Sequence, residues 1–122
     1  SVENIGLEIL PGVYTTGSIY KPYPLKKKSP VIIMPNGHFG DGRYRKSEQI
    51  RAAILAKMGA IVINFDLFAW GESLLQFPST THRNSIAATV QVLSGVRLLD
   101  YAATLKYADM DKVGVTGGSG CT

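Results

Sequence analysis

Ser119 is flanked by small residues in Thr116-Gly117-Gly118-Ser119-Gly120-Cys121-Thr122, directly after the apolar run Val113-Gly114-Val115. A serine between glycines after a short strand is the pattern of a nucleophile elbow, a strained strand-to-helix turn that exposes the hydroxyl. Small neighbours are required because the turn brings backbone segments close and demands φ values that side chains penalise. The usual G-x-S-x-G spacing is kept except at its last position, where Cys121 stands. The chemistry such a serine could do is acyl transfer. That needs a nucleophile, a base to take its proton, and two donors aimed at the developing oxyanion. Gly120 would supply one backbone N–H, and His38 or Phe39, in the glycine-rich stretch Asn36 to Gly42, would supply the other.

Three further residues fall where a cleft would form. Asp66 follows an apolar run and reads first as a carboxylate fixing loop N–H groups. Trp70, with Phe68, would line an acyl or sugar pocket or pack within its loop. His82 reads as a substrate-loop or helix-entry residue. Cys121 reads as a small buried elbow residue. Two histidines and one cysteine, widely scattered, have no metal-ligand spacing, and no cofactor is implied.

The elements that would position these residues can be read from the apolar pattern. Gly12 to Tyr20 is rich in β-formers and reads as an antiparallel strand near a sheet edge. Lys21 to Pro30 is a proline-rich loop. Val31-Ile32-Ile33-Met34 and Ala60 to Phe65 read as strands buried on both faces, as in a parallel sheet. Between them Ser47 offers an N-cap for a helix with Ile50, Ala53, Ile54, Ala56 and Met58 as its stripe, ended by Gly59. Loop residues continue to about Asn84. A long helix then runs from near Ser85 to Tyr107, with Ile86, Val90, Leu93, Leu98, Tyr101 and Leu105 inward. Gly95 inside it, costing about 1 kcal/mol relative to alanine, predicts a kink or a close contact. Lys112 to Thr116 is the third parallel strand. Strand and helix alternate, so the expected class is α/β, three-layered, with a mostly parallel sheet and flanking helices. Ligand sites in such sheets lie beyond the carboxyl ends of the strands, which is where all three loops fall.

Composition narrows the field. In 122 residues, 45% are hydrophobic and 18% charged, ordinary for a globular domain with one core. Much of the formal charge of +4 sits in Lys26-Lys27-Lys28 and in Arg43, Arg45 and Lys46. The lysine run lies in the proline-rich loop with no alternating aromatics, so a solvated loop is favoured over nucleic-acid binding. The apolar runs are too short to span a bilayer. One cysteine excludes an internal disulfide framework, and no compartment follows from it.

Taken together, Pro35-Asn36-Gly37-His38-Phe39-Gly40, Asn64-Phe65-Asp66 with Gly71-Glu72-Ser73, His82, Leu99-Asp100-Tyr101 and Val113 to Gly120 resemble the α/β-hydrolase superfamily. Within it they look most like the acetyl xylan esterase-like branch. The resemblance spans roughly residues 12 to 122 and covers the N-terminal half of such an enzyme, ending at the elbow. It implies an incomplete α/β-hydrolase fold and a serine carboxylesterase acting on a small-molecule ester or an acetylated carbohydrate. In this fold the acid and histidine of the triad follow the serine in chain order, so the 122 residues alone are expected to hydrolyse esters weakly or not at all.

Two other readings stay open. Val115-Thr116-Gly117-Gly118-Ser119-Gly120 also resembles the T-G-x-x-x-G turn of short-chain dehydrogenases, which would make this a dinucleotide-binding oxidoreductase-like domain. That turn belongs after the first strand of its fold, and here it closes the chain. The third is a non-catalytic, hydrolase-derived module that self-associates through an exposed sheet edge.

Overall fold

The computed structural model describes residues 1–25 and 27–119. Five strands form one sheet: β1 (Val2–Leu10), β2 (Val13–Tyr20), β3 (Ser29–Pro35), β4 (Ile61–Phe65) and β5 (Ala108–Val115). Helix α1 (Lys46–Lys57) joins β3 to β4, and α2 (Ile86–Ala103) joins β4 to β5. The strand order is β1-β2-β4-β3-β5. β1 and β2 are antiparallel, as are β2 and β4, whereas β3 runs parallel to both β4 and β5. The α/β class and the three layers are as expected. The sheet is mixed, its pairings evenly split, because β1 was not anticipated. Ile5, Leu7 and Ile9 alternate inward along it, a period-2 signal interrupted by Gly6 and Glu8. β2 is consequently one strand in from the edge and not at it.

The two sheet faces bury different sets. On one, Tyr20, Met34 and Val62 pack against Ala52 and Ala56 of α1. On the other, Ile19, Val31, Ile33, Ile61, Ile63 and Phe65 pack against Leu98 and Ala102 of α2. A third cluster of Ile9, Phe68, Ala69, Ala87 and Val90 supports the loop after β4.

Both helices depart from the sequence reading. α1 buries Glu48, Ala52 and Ala56, while Ile50, Ile54 and Met58 face outward, with Met58 79% exposed. Alanines at i and i+4 let the helix axis approach the sheet, a fit that the larger residues would not allow. Its N-cap is Arg45, without a side-chain cap bond, because a 3₁₀ turn over Gly42–Tyr44 leads straight into the helix; Ser47 lies inside it. α2 ends at Ala103 and passes unbroken through Gly95, where an added Cβ would meet nothing within 4 Å. The close contact does not occur, and Ile86 is exposed. β5 begins four residues before Lys112, since Ser29 and Pro30 pair with Ala108 and Asp109. The loop ahead of α2 holds 3₁₀ turns at Gly71–Leu75 and Ser79–Arg83.

Candidate active site

Register brings the site loops together. Pro35 pairs with Phe65, so the chains leaving β3 and β4 emerge side by side. The elbow joins them because Ile33 pairs with Val115 and Thr116 N–H donates to the Ile33 carbonyl at 3.0 Å. Gly37 then passes so close to the elbow that a Cβ there would lie 3.1 Å from the Gly118 carbonyl oxygen. A side chain at position 37 would push the two loops apart.

Ser119 has φ +58° and is exposed. A non-glycine residue in the left-handed region is costly and points to a conformation imposed by its surroundings. Its carbonyl oxygen lies 3.2 Å from Nδ1 of His38. Nε2 of His38 is 2.7 Å from Nε2 of His82, and Nδ1 of His82 is 2.6 Å from the Phe68 carbonyl oxygen. Trp70 closes the group: its ring meets His38 edge-on at 5.7 Å and His82 at 5.6 Å, and its Nε1–H donates to the Phe39 carbonyl at 2.7 Å. The Arg45 guanidinium stacks over the Phe39 ring at 4.0 Å.

Ser119, His38, Phe39, Trp70 and His82 are thus neighbours, with Gly117 and Gly118 leading into Ser119. Gly120 and Cys121 lie outside the described residues. The Phe39 N–H donates to the Gly37 carbonyl at 2.8 Å.

Asp66 does not join this cluster. It is buried beneath the loops and accepts from the Arg43 N–H at 3.0 Å, the Thr16 hydroxyl at 3.1 Å and the Glu72 N–H at 3.3 Å. It is also ion-paired with the Arg43 guanidinium. Gly42 and Gly71 fold over that carboxylate at φ +54° and +55°, and a Cβ on either would fall 2.6 or 2.5 Å from it.

Arg43 is the residue that sequence reasoning missed. Counted only toward the basic excess, it is 1% exposed and bridges Asp66, Glu72, the Tyr44 hydroxyl and Ser18. Burial works against its charge, but the Glu72 hydrogen bond and the Asp66 and Glu72 charges outweigh that and raise its pKa. The same hydrogen bond from Arg43 holds Glu72 below the ordinary value of 4.5, against the effect of burial. The one available clue was its place between Gly42 and Tyr44, beside a loop already marked as functional.

Among the described residues no three His, Cys, Asp or Glu side chains gather as metal ligands, and no helix is long and apolar enough to cross a membrane. No protein-family model matches the chain, and no curated protein sequence matches it. Solved structures do. The methylesterase BT1017 is 52% identical over 98% of this chain, with a TM-score of 0.92, and this chain spans 27% of its length. A dienelactone hydrolase-like promiscuous phosphotriesterase, P91, from metagenomic libraries superposes with a TM-score of 0.72 at 16% identity, over 96% of this chain and 48% of that one. A candidate acetyl xylan esterase from Bacteroides fragilis gives 0.71 at 19% identity, over 97% of this chain and 38% of its own. At those lower identities the likeness is one of fold.

Proposed function

We infer that this chain, which shares its fold with solved esterases and hydrolases, serves a carboxylic-ester hydrolase in which Ser119 is the nucleophile. The observation that carries this reading is the left-handed backbone of Ser119 at the end of β5, beside the loop that leaves β3. The Ser119 hydroxyl oxygen would attack the ester carbonyl carbon as its proton passes to a base. The carbonyl oxygen would become an anion received by the backbone N–H groups of His38 and Gly120. Collapse of that intermediate expels the alcohol, which takes up the proton, and water then releases the acid from the acyl-enzyme.

The 52% identity to a protein named as a methylesterase favours a methyl ester, in which the leaving alcohol is methanol and the bulk lies on the acyl side. An acetyl ester, expected from the family resemblance, would put the bulk on the alcohol. Incubating the intact protein with both kinds of ester separates them, since one yields methanol and the other acetate. Labelling with a fluorophosphonate followed by peptide mapping should place the adduct on Ser119, and Ser119→Ala should abolish labelling and lower kcat by about 10⁶-fold. Undiminished turnover in Ser119→Ala would remove this serine from the mechanism.

A further inference from the structure

His38 and His82 meet in a way that neutral imidazoles do not satisfy. Nδ1 of His38 faces the Ser119 carbonyl oxygen, and Nδ1 of His82 faces the Phe68 carbonyl oxygen. A carbonyl oxygen only accepts, so each Nδ1 must carry a hydrogen to make its bond. A neutral ring protonated at Nδ1 has a bare lone pair at Nε2. The two Nε2 atoms, 2.7 Å apart, would then set lone pair against lone pair.

We propose that His38 and His82 share an extra proton between their Nε2 atoms, and that this bridged pair positions the elbow by holding the Ser119 carbonyl. With the proton in place, three bonds run in series from the Ser119 carbonyl through His38 and His82 to the Phe68 carbonyl. They tie together the loops after β5, β3 and β4. Without it one bond fails, and the natural one to fail is that to Ser119, the longest of the three at 3.2 Å. The Trp70 indole, within 6 Å of both rings, is a favourable neighbour for the resulting cation. Of the other charged groups on these loops, Asp66 and Glu72 are engaged with Arg43 and Arg45 lies over Phe39, while Asp41 and Arg83 are exposed to solvent. His38 is thereby a positioning residue through its side chain, in addition to the oxyanion role of its backbone. The proposal rests on Ser119 being the nucleophile.

In a nitrogen NMR spectrum of histidine-labelled intact protein, the signals of His38 and His82 are assigned by their loss in His38→Asn and His82→Phe. At neutral pH three of the four ring nitrogens should be protonated, with the two Nε2 signals displaced from those of a bare imidazole nitrogen. One protonated and one bare nitrogen on each ring would overturn the bridge. In His82→Phe the His38 ring should revert to a single N–H. The positioning role is read from the rate of fluorophosphonate labelling. His38→Ala should slow it about 10-fold, the worth of one well-placed hydrogen bond. His38→Asn, whose amide N–H reaches where Nδ1–H stood, should recover most of that loss. Labelling of His38→Ala at the unmodified rate, or no recovery by His38→Asn, would remove the positioning role. If the unmodified protein is never labelled at Ser119, the nucleophile assignment fails, while the nitrogen spectrum still decides the histidine bridge.

Discussion

Asp66 shows how one buried carboxylate can tie together the loops that flank a candidate site. It gathers N–H groups from the 3₁₀ turn after β3 and from the loop after β4, and it neutralises a guanidinium that is itself fully buried. Removing one member of a buried pair leaves the other uncompensated, which costs about 3–5 kcal/mol. Asp66→Ala should lose stability of that order in urea unfolding of the intact protein. Glu72→Ala, whose side chain is 39% exposed at the rim of the same network, should lose much less. Equal losses would mean that Arg43 is held mainly from the rim. At this scale the sequence was legible where the signal was local. Ser119 among glycines, and His38 in a glycine-rich loop, are recognisable within a few residues. Arg43 was not, because a charge becomes buried only when its partners arrive, and Asp66 lies 23 positions along the chain.

Element by element, strands were read more faithfully than helix faces. Val31 to Met34 and Ala60 to Phe65 are runs so apolar that burial on both sides is the sole outcome the pattern allows. α1 carries two stripes at helical spacing, one of alanines and one of larger residues, and periodicity alone does not choose between them. The sheet chose the alanines. Ala52 is fully buried, so Ala52→Leu should overpack the α1–sheet contact and cost about 1–3 kcal/mol. Ile54 is 52% exposed, so Ile54→Lys should change stability by less than about 0.5 kcal/mol. Thermal unfolding of the two variants checks the orientation directly. The reverse ranking would mean that the outer stripe is covered in the intact protein. The loop geometry at Gly37 and Gly71 was foreshadowed by glycine content, but which neighbour excludes a side chain was not.

Across the whole molecule, stability should be bounded in pH by the groups tied to Arg43. The Glu72 carboxyl is held below 4.5, so its contribution is present above that value and is lost as pH falls through the lowered one. Burial raises the phenols of Tyr20 and Tyr44 above 10.0, and the Glu72 hydrogen bond adds to this for Tyr44. Their contribution is present below 10.0 and is lost as pH rises through the raised values. Unfolding temperature against pH should therefore decline on both sides, and Glu72→Gln should flatten the acid limb alone. An unchanged acid limb in that variant would assign the decline to other carboxylates.

What the amino-acid order determined by itself was the succession of elements and the local chemistry of the turns, because both arise from side chains close along the chain. An apolar run becomes a buried strand, and glycines admit a backbone that other residues resist. What the tertiary structure decided was which groups meet: His38 with His82, Arg43 with Asp66, Gly37 with the elbow. Those encounters depend on a strand order that places β3 between β4 and β5. They join residues tens of positions apart, beyond the reach of any local propensity.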